Sequence, residues 1–287
     1  YGQNQAMKIK KTTKMKMLIR DKLLEFTDNL VMGILNVTPD SFYDKSRAST
    51  DADLLKMAGK MLSEGADILD LGGYSSRPGA KDVSVADEIG RIQPSMKMLR
   101  REFPNSLISL DTFRSEVAKV GLDEGVDIIN DISAGHLDAE LPKIVAKHKV
   151  PYIIMHMRGT PQTMQSLTEY ENITQELFYY FSERIRTFHQ MGIHDLIIDP
   201  GFGFAKTAED NYEIMENLAI FKKLECPILV GISRKSFIQK KFKVSIDETL
   251  APTNQLHKEL LLKGAQIIRT HDVGEAKLLI EELKTMR

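Results

Sequence analysis

Three acceptor side chains stand directly behind short apolar runs: Asp111 after Leu107–Leu110, Asn130 after Val126–Ile129, and Asp199 after Leu196–Ile198. A carboxylate or amide emerging from an apolar strand is costly to bury unless something donates to it. A heterocycle with an exocyclic amine and adjacent ring N–H groups offers such donors, which points to a guanine- or pterin-like ring. The competing reading is a helix cap, and it applies best to Asp111, because Thr112-Phe113-Arg114 opens a helical stretch. Arg77, Arg269 and His271 follow other apolar runs and supply charge and donors suited to a phosphate group. Asn36 closes the first run with a neutral oxygen, a suitable Mg2+ ligand when water and substrate phosphates fill the other positions. Ser233 and Lys235 lie at a turn into a helix, whose first amides favour an anion such as a carboxylate, although a lysine there is as readily a surface residue. No Ser/His/Asp or Cys/His nucleophilic set is visible, and the single cysteine, Cys226, cannot build a structural zinc site.

The elements that must position these groups are eight apolar runs: Leu30–Leu35, Ile68–Leu71, Leu107–Leu110, Val126–Ile129, Tyr152–Met155, Leu196–Ile198, Ile228–Val230 and Ala265–Ile268. They are short and rich in β-branched residues and Leu, as strands buried on both faces of a parallel sheet should be. Helical patterns fall between them over 52–64, 86–101, 116–124, 173–191, 211–224 and 253–263, several stopping at a glycine (Gly65, Gly125, Gly192, Gly264). Eight strands alternating with helices predict a single α/β domain, a (β/α)8 TIM barrel. In such barrels the site lies at the C-terminal ends of the strands, where all the candidate residues fall. The stretches 37–51 and 74–84 are long for a compact barrel and are expected to be lids over its mouth.

The bulk properties narrow the class further. With 287 residues, 42% of them hydrophobic, the chain can bury one large core. Its 39 basic and 40 acidic residues nearly cancel, which argues against nucleic acid as a partner. No apolar run approaches the roughly 20 residues of a membrane span, and no signal-peptide core is evident. A lone buried thiol fits a reducing compartment, so the expectation is a cytoplasmic protein. Residues 1–28, punctuated by Lys8, Lys10, Lys11, Lys14 and Lys16, are expected to be a solvated basic tail, with 29–287 forming the barrel. Tyr1 to Ala6 precede Met7 and are expected to be foreign to the natural protein.

Several segments also carry a family pattern. Gly33-Ile34-Leu35-Asn36-Val37-Thr38-Pro39-Asp40-Ser41-Phe42 resembles the first signature of the dihydropteroate synthases, and Asp70-Leu71-Gly72-Gly73 with Ser76-Arg77-Pro78-Gly79 resembles the second. Asp111-Thr112, Asn130-Asp131, Met155-His156-Met157, Asp199-Pro200-Gly201-Phe202-Gly203-Phe204, Ser233-Arg234-Lys235 and Arg269-Thr270-His271-Asp272 follow in the family's order. The resemblance implies displacement of diphosphate from 6-hydroxymethyl-7,8-dihydropterin diphosphate by the amine of p-aminobenzoate, in a homodimeric, Mg2+-dependent enzyme. It implies that Asp111, Asn130, Asp199 and Lys235 hold the pterin ring, with Met155 and Phe204 at its faces. By the same resemblance, Asn36, Arg77, Arg269 and His271 hold the diphosphate, with Mg2+ beside Asn36, and Ser76 is a further substrate-binding residue. Phe42, Pro78, Phe204 and Ser233 then frame p-aminobenzoate, while Asp40 stabilises the methylene cation as the leaving group departs.

The sequence departs from the family pattern at Tyr74, where an acidic residue is common, at Thr270, and over 250–254. Tyr74 and Thr270 bear on lid geometry and on affinity for sulfonamides, which target this family. The nearest alternative is a methyltetrahydrofolate:corrinoid methyltransferase-like barrel, which would lack the Ser-Arg-Lys segment and the diphosphate cations. A pterin-binding protein without activity is a second, opposed by the presence of Asn36, Arg77, Arg269 and His271.

Overall fold

A computed structural model describes residues 15–20, 22–26, 28–37, 51–75 and 82–286. The chain opens with an antiparallel hairpin, β1 (Met15–Ile19) and β2 (Lys22–Phe26), and then enters β3 (Leu30–Asn36). Helix and strand alternate from there: α1 (Asp51–Ser63), β4 (Ile68–Gly72), α2 (Val85–Glu102), β5 (Leu107–Asp111), α3 (Ser115–Asp123), β6 (Ile128–Asp131), α4 (Leu141–His148) and β7 (Tyr152–Met155). The second half runs α5 (Ile173–Gln190), β8 (Leu196–Asp199), α6 (Ala208–Asn217), β9 (Leu229–Val230), α7 (Ser236–Phe242), α8 (Leu250–Lys263), β10 (Ile267–Thr270) and α9 (Val273–Thr285). Strands β3 to β10 form one parallel sheet in the order β8-β7-β6-β5-β4-β3-β10-β9, and a bridge between Ile198 and Ile228 joins its ends. The eight expected runs are its eight strands, closed into a barrel.

The period of two along each strand sorts its residues. Leu30, Met32, Ile68, Ile128, Ile153, Ile197, Leu229 and Ile267 pack together inside the barrel. Val31, Leu69, Ile108, Ile129, Ile154, Ile198, Val230 and Ile268 join the larger core beneath the helices. Two residues further along from four of these inward apolar positions the same parity delivers a polar group: Asp70 after Ile68, Asn130 after Ile128, Asp199 after Ile197 and Arg269 after Ile267. The lower barrel is therefore oily and its upper end charged.

Residues 15–26 are not the solvated tail expected of them. Met17 and Ile19 are buried against the inward apolar layer and close the N-terminal end of the barrel. Arg20 pins the hairpin from outside, donating to Asp127 at 2.5 and 3.0 Å and to the carbonyls of Pro104 and Ser106. The alternation Met17–Ile19 was present in the sequence, but its value depended on an uncovered barrel floor that only the closed sheet creates. Helical boundaries differ in smaller ways. The expected 211–224 helix divides into α6 and a 3-10 stretch at Leu218–Leu224, and α8 begins at Leu250, with Pro252 in its first turn where no amide donor is needed.

Candidate active site

At the C-terminal end of the strands lies a cavity of about 990 Å3, lined by Asn36, Asp111, Phe204, Ser233, Lys235, Arg269 and His271 among others. Asn130, Met155 and Asp199 lie in the buried layer of the same barrel end. Ten of the residues singled out in the sequence thus converge. Asp40, Phe42, Ser76, Arg77 and Pro78, and most of both expected lids, lie outside the described residues.

Asp111 does not cap a helix. Helix α3 starts later, at Ser115, whose amide donates to Asp138 at 2.7 Å, while the Arg114 amide is met by the Thr112 hydroxyl at 3.2 Å. Asp111 is left to the barrel interior, where Arg269 Nη2 donates to it at 2.8 Å. Arg269 Nε donates to Asp70 at 2.6 Å, and Asn130 Nδ2 donates to the same Asp70 oxygen at 3.1 Å. Burial works against the guanidinium, but Asp70 and Asp111 more than offset it and hold its pKa above the ordinary value. Burial pushes the Asp111 carboxyl up, to about 7, with Arg269 opposing the rise. The two carboxylates balance much of the charge that the sequence reading assigned to diphosphate binding.

Asp70 is the residue that reasoning from the sequence quoted in a motif but gave no role. Its signal was there: a carboxylate between Leu69 and Leu71, at inward parity inside an apolar strand. Lys206 gave no such signal, because a lysine in a loop after Gly203-Phe204-Ala205 reads as a surface residue.

Asp199 accepts from the Gly201 amide at 2.8 Å through Oδ1, while Oδ2 has no hydrogen bond among the described residues. Its carboxyl is raised by burial and held down by that amide and by Lys235, Arg269 and Lys206. The turn it holds requires glycine at 201: φ is +71°, and a Cβ there would lie 2.2 Å from the His156 carbonyl oxygen. Lys235 donates to the Phe202 carbonyl at 2.5 Å and stands 4.4 Å from the centre of the Phe204 ring. Burial lowers its ammonium to about 8, against the pull of Asp199.

The Ser-Arg-Lys segment has a backbone reason for its shape. Arg234 adopts φ +58°, a left-handed conformation that costs a side-chain-bearing residue about 1–2 kcal/mol. A two-point pair with Asp272, at 2.6 and 3.3 Å, holds it there and lets Ser233 and Lys235 both line the cavity. Ser233 Oγ lies 3.0 Å from His271 Nδ1 and so joins the ends of two neighbouring strands.

Asn36 tests the fit for Mg2+. Its side chain lines the cavity without a hydrogen bond among the described residues. A Cβ added to Gly72 would sit 3.1 Å from Asn36 Oδ1 and 3.9 Å from Asp111 Oδ2, the oxygen to which Arg269 donates, so both oxygens border the space that the glycine leaves. A neutral oxygen beside a carboxylate suits a hard cation. Among the described residues no three His, Cys, Asp or Glu group to hold a metal alone, so substrate and water would have to complete the shell. The cysteine is elsewhere: Cys226 is partly buried, and burial raises its thiol to about 11, leaving it unreactive near neutral pH.

A parallel barrel with an acid–amide–cation layer at the C-terminal strand ends defines a binding enzyme for a donor-rich heterocycle, and the comparisons agree. The pterin binding enzyme family matches over residues 32–271. The dihydropteroate synthase of a Synechocystis species is 43% identical over 246 residues, covering 85% of each chain. The Yersinia pestis dihydropteroate synthase, solved with a sulfonamide drug complex, superposes with a TM-score of 0.90 at 34% identity, covering 95% of this chain and 99% of that one. The Xanthomonas albilineans enzyme with 4-aminobenzoic acid gives 0.87 at 32% identity, covering 96% and 98%. The chain belongs to the pterin binding enzymes and, within them, to the dihydropteroate synthase family. No helix among the described residues is long and apolar enough to cross a membrane.

Proposed function

We propose that this chain condenses 6-hydroxymethyl-7,8-dihydropterin diphosphate with p-aminobenzoate, forming the C–N bond of 7,8-dihydropteroate as the C–O bond to diphosphate breaks. The observation that carries the assignment of the ring is Asp199, 7% exposed, with one oxygen engaged and the other open to a donor. Asp199 accepts from the pterin amine and ring N–H groups, and Asn130 and Asp111 extend the same acceptor layer. Lys235 donates to the ring, and Met155 and Phe204 cover its faces. Family membership supports the reaction, and the polar layer at the strand ends supports this division of roles.

The leaving group departs as an anion, so donors aimed at it lower the barrier. His271 and the remaining edge of Arg269 face that end, joined by Ser76 and Arg77, and Asp40 stabilises the electron-poor methylene carbon. Asn36, with Asp111 beside it, would hold Mg2+, which when bound supplies charge neutralisation for the departing diphosphate. Ser233 and the first turn of α7, which has no side-chain cap, receive the p-aminobenzoate carboxylate, and Phe42, Pro78 and Phe204 flank its ring. The excess proton of the attacking amine leaves to solvent. The protein acts in the cytoplasm as a homodimer in this reading, with exposed Leu262 and Leu278 on the packed pair α8 and α9 offering an apolar contact.

Incubation with both substrates and Mg2+ should release diphosphate and dihydropteroate in equal amounts, followed by chromatography. Binding of the pterin diphosphate without product would favour an inactive binding protein instead. Methyl transfer from a methylated folate to a corrinoid would favour the methyltransferase reading.

A further inference from the structure

Lys206, in the turn between β8 and α6, is 5% exposed and forms no ion pair among the described residues. Its ammonium donates to three neutral acceptors instead: His156 Nδ1 at 3.0 Å, the His156 carbonyl at 3.3 Å and the Phe204 carbonyl at 2.9 Å. A buried cation on neutral acceptors weakens a fold, and a methionine would fill the space at lower cost. What Lys206 touches gives it another use. The His156 amide donates to the Asp199 carbonyl at 3.1 Å, and the His156 carbonyl is the atom against which Gly201 is pressed. Tyr180 fixes the imidazole edge-on at 4.8 Å. The Gly201–Phe204 turn is thus held by two lysines, Lys235 on the Phe202 carbonyl and Lys206 on the Phe204 carbonyl.

We infer that Lys206 is a positioning residue for pterin binding: from the cavity wall it fastens the Gly201–Phe204 turn to His156. The inference rests on the proposed role of Asp199 as the pterin acceptor. Asp199 and Asp210 attract the ammonium, Lys235 and Arg158 repel it, and burial, the dominant influence, lowers it to about 7. His156 stays neutral, because burial and then Lys206 hold its pKa well below the ordinary value. As pH rises through neutrality the lysine therefore loses the charge that favours the ionised Asp199, and once neutral it resembles methionine in charge.

Fluorescence titration with a pterin lacking diphosphate, at pH 6 and pH 8.5, tests this in the wild type and Lys206→Met. At pH 6 the wild type should bind about tenfold more tightly, and at pH 8.5 the two should agree within about twofold. Lys235 and Asp111 also titrate near this range in both proteins, so the test reads only the difference between the two proteins at each pH. Lys206→Met should melt no lower than the wild type at pH 6. Equal losses at both pH values would mean a merely structural lysine, and no loss at pH 6 would mean no role; either overturns the inference. Should the methionine variant fail to fold, His156→Leu removes one acceptor and should move the wild-type fall in affinity to lower pH; an unmoved profile overturns the inference equally. Asp199→Asn separates the two levels. Normal pterin binding by that variant defeats the reading of the site itself, whereas lost binding there, with a Lys206→Met deficit that is equal at both pH values or absent at both, defeats the lysine alone.

Discussion

At the scale of single residues, the site is governed by which charges have partners. Arg269 serves Asp70 and Asp111 together, and Asp70 is fully buried with Oδ1 lacking a hydrogen bond among the described residues. Arg269→Ala would strand two carboxylates in the barrel interior, which typically costs about 3–5 kcal/mol. Urea unfolding should show that loss, and Asp70→Asn in the same chain should recover part of it; full wild-type stability in Arg269→Ala would show that the pair is energetically idle. Turnover should fall as well if the remaining donors of Arg269 serve the diphosphate as proposed. Asp199 makes the opposite case. Its open oxygen has no intramolecular partner to lose, so Asp199→Asn should leave the melting temperature within a few degrees and weaken pterin binding by about 1–3 kcal/mol. Calorimetric titration with a diphosphate-free pterin checks it, and unchanged affinity would reassign the ring acceptor.

Among the elements, the β1–β2 hairpin and the β8–α6 turn do the most to shape the barrel's two ends. Ile19 is buried where the inward layer would otherwise meet water. Ile19→Ala should therefore cost about 2–4 kcal/mol, in the range of core truncations, although the residue lies in what reads as a charged N-terminal stretch. A cost below ~0.5 kcal/mol, measured by denaturant midpoint, would mean that the hairpin does not close the floor. At the other end, a methyl group on residue 201 has no room beside the His156 carbonyl. Gly201→Ala should displace the turn that carries Phe202 and Phe204 and lose pterin affinity, whereas Gly90→Ala, where a Cβ meets nothing within 4 Å, should leave that affinity unchanged.

The whole molecule has a pH response written into its interior. His257 is fully buried on α8, with neither ring nitrogen hydrogen-bonded among the described residues, and burial lowers it to about 3. The unfolded chain takes up that proton near pH 6.5 while the native chain does not, so this group removes stability as pH falls from 6.5 toward 3. Asp111, raised to about 7, acts in the opposite sense: its native form keeps a proton that the unfolded form releases near 3.8, so stability declines as pH rises between those values. The two offset each other in the wild type, and a variant isolates one of them. His257→Leu should gain a few kcal/mol over the wild type at pH 4 and much less at pH 8. Parallel stability curves for the two proteins would show that His257 does not titrate with folding.

The sequence by itself determined the barrel and its polarity, because strand identity follows from composition and the site end follows from where polar residues stop each apolar run. It also named Asn36, Asp111, Asn130, Asp199, Ser233, Lys235 and Arg269, since chemistry-bearing side chains at strand ends are legible one strand at a time. What it left open were relations between strands. That Arg269 meets Asp70 and Asp111, nearly 200 and 160 residues away in the chain, depends on closure and register. That Lys206 is buried against His156 depends on the path of a glycine turn, and that Met17 and Ile19 form a floor depends on there being a barrel to close. Parity along a strand is a local property, carried by the backbone's two-residue repeat; partnership and burial belong to the packed whole, where distance in sequence no longer measures distance in space.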